Sequence, residues 1–170
     1  MKKFKFFGFL IVLALLAMAS PAFALQCKTG NDASDECWTT ITHASADTSV
    51  VNAGTILIYD FATATGTADT VAFNAIPSTA ATDGYRVAGV AQGNIATGDR
   101  GLILVRGKGK IKASTAVTSG DRLFPSGTAG QARIIPVTDA TSAASHDQAI
   151  AFALATTSAA ATTDAYIIVV

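Results

Sequence analysis

From residue 53 onward the chain alternates short apolar runs with small polar breaks. Runs rich in Val, Ile, Leu, Tyr and Phe fall at 55–60, 70–75, 85–92, 101–106, 109–113, 122–125, 132–136, 149–155 and 165–170, with Gly, Asn, Asp, Ser or Pro between them. Runs of this length and composition read as strands. A surface helix would need apolar residues at a 3.6-residue period, and no long stretch after the first two dozen residues shows it. The alanines of "TSAASHDQAIAFALATTSAAA" at 141–161 favour a helix, but Ile150, Phe152 and Leu154 alternate at period two, so the segment is expected to hold a strand. The pattern predicts an all-β fold, a small barrel or sandwich of short antiparallel strands.

One phrase recurs along these strands. "ATGDRGLILV" at 96–105 returns as "ATTDAYIIVV" at 161–170, 65 positions later. The same form appears at Gly54-Thr55 before "ILIY" and at Gly120-Asp121 before "RLFP". Turns are therefore predicted at Gly54, at Gly98-Asp99, at Gly120-Asp121 and at Thr163-Asp164. Glycine supplies a positive φ without a Cβ clash, and an aspartate beside it can accept a bond from a nearby backbone N–H. An apolar strand precedes two of these turns, "VAGVA" at 87–91 and "IAFAL" at 150–154. The spacing between turns is uneven, which argues against a solenoid or propeller of fixed period.

The first 24 residues stand apart. Lys2, Lys3 and Lys5 precede an apolar run from Phe6 to Met18, and the segment ends on Ala22-Phe23-Ala24. This is the form of an exported signal peptide cut after Ala24. An uncleaved anchor is the alternative, although the run is short for a spanning helix of about 20 residues. Cleavage leaves 146 of the 170 residues, the size of one domain. Removing three lysines leaves nine cationic side chains against twelve acidic ones, a net charge of −3. A nucleic-acid partner calls for a strongly basic domain, so none is expected. After cleavage no integral membrane contact is expected either. The expected organisation is a signal peptide at 1–24, a disulfide-stapled loop segment at 25–52 and a β-domain at 53–170.

Export bears on the two cysteines. Cys27 and Cys37 frame "CKTGNDASDEC", and an even number of cysteines in an oxidising compartment pairs. A local disulfide is expected, worth about 2–3 kcal/mol by loop-closure entropy. The spacing is not that of a C-x-x-C redox motif. Asp32, Asp35 and Glu36 between the cysteines do not follow the EF-hand order of calcium ligands. No metal or other cofactor is expected.

The order "AGTILIYD … RVAGVAQGNIATGDRGLILVRGKGKIKA … AVTSGDRLFPSGTAGQAR … AIAFALA … AYIIVV" resembles the small head-decoration, or capsid cement, proteins of tailed bacteriophages. The matching positions are Gly89-Val90-Ala91, Gly98-Asp99, Gly107, Gly120 to Phe124, and Gly130. Phe152-Ala153-Leu154 and Thr163 depart from the family's Gly-Val-Ala and Gly. The likeness covers about 53–170. It implies a compact β-barrel, often trimeric, that binds a capsid lattice and reinforces it without chemistry. The leader points instead to the cell surface, periplasm or medium, so both virion and exterior remain open as locations.

"RGKGKIK" places Arg106, Lys108, Lys110 and Lys112 at every second position. On a strand these four cations form one stripe. It is the candidate contact surface, for a protein lattice or an anionic cell-envelope surface, with Trp38 as a second candidate. The structural alternative is an edge strand guarded by lysines. For catalysis, His43 and His146 are the only histidines, and "SHD" at Ser145-His146-Asp147 lacks the nucleophile-elbow motif. No enzymatic activity is expected. The terminal "YIIVV" would be an exposed aggregation edge if left unpaired, which suggests a homotrimer that covers it. The leading expectation is a non-catalytic structural protein that coats or stabilises a larger assembly. The alternative is a secreted module that binds glycan or cell envelope through the basic strand face.

Overall fold

A computed structural model describes residues 26–28, 36–44, 51–60, 74–79, 86–134 and 149–169. These form ten strands, and no α-helix occurs among the described residues: β1 (Gln26–Lys28), β2 (Glu36–His43), β3 (Ile56–Tyr59), β4 (Asn74–Pro77), β5 (Val87–Ala91), β6 (Arg100–Lys112), β7 (Arg122–Pro125), β8 (Ala132–Ile134), β9 (Ala151–Ala153) and β10 (Thr162–Ile168). They join in one sheet of order β1-β2-β4-β3-β5-β6-β10-β9-β7-β8, with a further pairing of β2 to β6. All pairings between strands are antiparallel except β2 with β4.

The extra pairing closes a ring. β2 pairs with β4, β4 with β3, β3 with β5, β5 with β6, and β6 again with β2. Each of the five sends at least one side chain into a common interior: Ile41, Ala75, Leu57, Ala88 and Ile103, joined by Val51 and Ile95 from the loops. Successive residues of a strand face opposite ways, so the neighbours of these residues point outward. Ile56, Ile58 and Leu104 do so, as does Val90 beside Ala91 of the ring interior, and all four are buried. They meet a layer built from the rest of the chain, with Leu123, Ile150, Ala165 and Ile167 among its contributions. Strands β3 and β5 are thus covered on both faces. That is why they read as continuous apolar runs, "ILIY" and "VAGVA", rather than as alternating ones.

The turns organise this body into two units. Before each of β3, β6, β7 and β10 comes the same device: a bridging residue, a two-residue turn, then the strand. The bridging residues pair with each other, Val51 with Ile95 and Val117 with Thr157. The turns hold Gly54 at φ 87°, Gly98 at 80°, Gly120 at 93° and Ala160 at 58°. Backbone bonds repeat as well. The Gly54 amide donates to the Ala91 carbonyl at 2.7 Å and the Ala91 amide to Thr55 O at 2.9 Å; the Gly120 amide donates to Ala153 O at 2.8 Å and the Ala153 amide to Asp121 O at 2.9 Å. The first unit is β3–β6 in the order β4-β3-β5-β6. The second is β7–β10, in the reversed order β10-β9-β7-β8. Two like units meeting along antiparallel β6 and β10 have the arrangement of an internal two-fold.

Several expectations change. The fourth turn is at Ala159–Ala160, not Thr163-Asp164; Asp164 lies within β10. The repeated phrase is therefore offset by 62 positions, from Gly98 to Ala160, rather than 65. Residues 101–106 and 109–113 are not separate strands, because β6 runs unbroken through Gly107. The segment 25–52 is more than a loop: it contributes β1 and a wall of the closed ring, β2. The terminal strand is no open edge, since β10 is paired on one side by β6 and on the other by β9. The expectation of a trimer loses that argument. The signal peptide and its cleavage point, Asp32, Asp35, and residues 70–73 and 135–136 of two expected strands lie outside the described residues.

Candidate functional site

Strand β6 positions the basic stripe. Its thirteen residues pair through the N-terminal half with β2 and briefly with β5, and through Arg106 to Lys112 with β10. The stripe therefore has a strand on one side, β10, while from Gly107 to Lys112 no described strand pairs with its other side, so the reading of that stretch as an edge guarded by lysines stays open. Arg106, Lys108 and Lys110 are exposed and Lys112 is half-buried, while Gly107 and Ile111 are buried on the opposite face. Lys110 Nζ meets Asp164 Oδ1 at 3.0 Å, with both side chains about 60% exposed (60% and 61%). In water a pair so exposed adds little stability.

Gln92 shapes the ground beside Lys110. Its Nε2 donates to the Lys110 carbonyl at 3.0 Å, and the Lys110 amide donates to its Oε1 at 2.7 Å. A side-chain amide here completes the bonding of a strand backbone where no strand lies. Gly109 is required by this arrangement, because a Cβ would come within 2.6 Å of Leu104 Cδ2 and 2.8 Å of Gln92 Oε1. An open groove of about 510 Å³ results, lined by Gln92, Lys108, Gly109, Lys110, Leu154 and Asp164. Gln92 and Leu154 occupy equivalent places in the two units, each directly after the strand that precedes a turn.

The stripe has neighbours that the sequence reading did not place with it. Register puts Tyr166 opposite Lys108, Phe152 opposite Tyr166, and Arg122 opposite Phe152. Cross-strand partners share a face, so these four side chains form a row across β6, β10, β9 and β7. Lys108 and Arg122 are exposed at its ends, and the two rings between them are half-buried. At about 4.8 Å per strand the row spans about 14 Å. The segment of Ile150, Phe152 and Leu154 holds the expected strand, β9, and Ile150 is buried in the larger core. Ala151 and Ala153 also enter the core, while Phe152 is half-buried and Leu154 is 43% exposed. The available signal was the pairing of "AFA" with "AYI": a small or aliphatic residue on each side of a ring, with the small positions able to approach a packed layer closely.

The remaining candidates are placed elsewhere. Cys27 and Cys37 are bonded to each other as opposite residues of β1 and β2. Trp38 is on β2, half-buried, with its ring against the larger core, so much of it serves packing. His43 is fully buried at the end of β2; its backbone amide donates to Asp99 O and its carbonyl accepts from the Gly98 amide, both at 2.9 Å, which fixes the second turn. Asp121 Oδ2 accepts from the Thr118 amide at 2.7 Å, the aspartate turn bond expected from the sequence. Ser145, His146 and Asp147 lie outside the described residues, and Glu36 begins β2. Among the described residues no group of three or more His, Cys, Asp or Glu side chains is arranged to hold a metal ion.

Neither a family model nor a curated protein matches the chain. Among solved structures, the N base of head fiber gp8.5 of bacteriophage phi29 is similar to it, with 18% identity and a TM-score of 0.48, over 78% of this chain and 93% of that one.

Proposed function

We propose that the protein is a non-catalytic structural module that coats or stabilises a larger assembly, associated with a virion or exported to a surface, and that it works as a homotrimer. The observation that supports this reading is the use made of its chemistry-bearing side chains. His43 is buried against the second turn, Asp121 caps its own turn, and Asp164 is paired to Lys110. General acid–base work needs such groups within reach of a substrate proton; His43 is buried and Asp121 is engaged by its own turn, and Asp164 is the exposed one of the three. The capsid-decoration likeness of the turn sequence points the same way.

The test is the intact mass and copy number of the native protein in purified particles and in the cell-free medium. Recovery in particles, at a fixed number of copies per lattice unit and as a trimer on dissociation, is the expected result. Recovery solely as free monomer in the medium would overturn the coat reading.

A further inference from the structure

We propose that the outer face of β6, β10, β9 and β7 is a binding platform for an anionic polysaccharide. Tyr166 and Phe152 would lie under the sugar rings, with Lys108 and Arg122 taking charged groups at either end. This goes beyond the coat reading, since a protein anchored to an assembly by another surface presents this face outward.

Charge complementarity is the first argument. The whole chain is formally neutral, yet this face carries Arg106, Lys108, Lys110 and Arg122 exposed, and Asp164 is the carboxylate paired with any of them among the described residues. A local excess of one sign concentrates and orients an oppositely charged partner. Shape is the second. The face is a sheet with an open groove along the β6–β10 seam rather than an enclosed cavity, which suits a polymer lying across it.

The aromatic pair decides the class of polymer. A carboxylate-rich protein surface would satisfy the cations but has no use for two flat rings set between them. A pyranose has an apolar face that stacks on such rings while its carboxylate, sulfate or phosphate substituents point to the sides, toward Lys108 and Arg122. Nucleic acid could also stack. A neutral chain lacks the strongly basic balance that a nucleic-acid surface requires.

The probes are labelled dextran sulfate, neutral dextran, polyglutamate and oligodeoxythymidylate, titrated against the purified full chain at physiological ionic strength. Dextran sulfate is expected to bind about tenfold more tightly than polyglutamate, which offers charge without a ring face to stack, and more tightly than the oligonucleotide, which calls for a more basic surface. Lys108→Glu and Arg122→Glu, both at exposed positions, are each expected to weaken it about fivefold or more without moving the melting temperature. Tyr166→Thr should shrink the preference for dextran sulfate over polyglutamate. Equal binding of polyglutamate would reassign the face to an acidic protein, tighter binding of the oligonucleotide would reassign it to nucleic acid, and either would overturn the proposal. So would dextran sulfate binding that is absent or that ignores Lys108→Glu. None of these outcomes touches particle association, so the coat reading stands or falls separately.

Discussion

At the residue scale the four turns form an internal experiment. Gly120 sits at φ 93° with nothing within 4 Å of where a Cβ would be, whereas at Gly54, φ 87°, a Cβ would stand 2.9 Å from the Lys112 amide nitrogen. Gly120→Ala then reports the backbone cost of the left-handed region alone, about 1 kcal/mol. Gly54→Ala adds a clash with main chain that cannot rotate away, and a loss of about 2–4 kcal/mol is expected. The fourth turn runs the comparison in reverse. Ala160 already occupies φ 58°, so Ala160→Gly should stabilise the protein by about 0.5–1 kcal/mol. Urea denaturation of the three variants checks the order, and a destabilising Ala160→Gly would contradict the equivalence of the turns.

At the scale of elements, β6 depends on one unusual support. Gln92→Ala removes both bonds to the Lys110 backbone, and a loss of about 1 kcal/mol follows, with water replacing part of them. Lys110→Ala removes the exposed ion pair to Asp164 and should cost no more than about 0.5 kcal/mol. A double-mutant cycle on Lys110 and Asp164 measures that pair directly. The β1–β2 hairpin gives a larger effect. Its three paired residues are cross-linked by Cys27–Cys37, ten positions apart. Cys27→Ala/Cys37→Ala is expected to lower stability by about 2–3 kcal/mol, with β1 amides exchanging faster and those of β3 and β5 still protected.

How far these elements were legible depends on how they are buried. β3 and β7 announce themselves as "ILIY" and "RLFP" straight after a glycine turn, since local turn chemistry and apolar content agree there. β2 is harder. Its "WTTITH" has strand-forming residues, Trp38, Ile41 and three threonines, but one face meets the ring interior and the other is half-exposed, so no clean alternation results. A polar strand of this kind is recognised by what it pairs with, β6 and β4, and pairing is non-local. The basic stripe was legible because every second residue is a cation. Its aromatic neighbours were not, because Tyr166, Phe152 and Arg122 join Lys108 through strand register across 58 positions of chain, from 108 to 166.

At the scale of the molecule, the two units can be told apart in topology but not in stability. The larger core draws Ile56, Ile58, Val90 and Leu104 from the first unit and Leu123, Ile150, Ala165 and Ile167 from the second. Neither unit covers its share of that surface alone, and apolar area is worth about 25 cal/mol per Å² removed from water. β6 and β10 add a seven-residue ladder between the units. A single cooperative transition is therefore expected, in spite of the internal repeat. Leu123 is fully buried in β7, so Leu123→Ala should cost about 2–5 kcal/mol through lost burial and the cavity left behind. The informative readout is where that cost appears. Amide exchange in β3 and β5 follows the first unit, and amide exchange in β9 and β10 follows the second. If the core is shared, the Leu123→Ala midpoint moves by the same amount in both, as two-state unfolding demands. A midpoint that falls in β9 and β10 while β3 and β5 keep the wild-type curve would show two independently stable halves, and the shared core would then be a contact surface between domains rather than the interior of one.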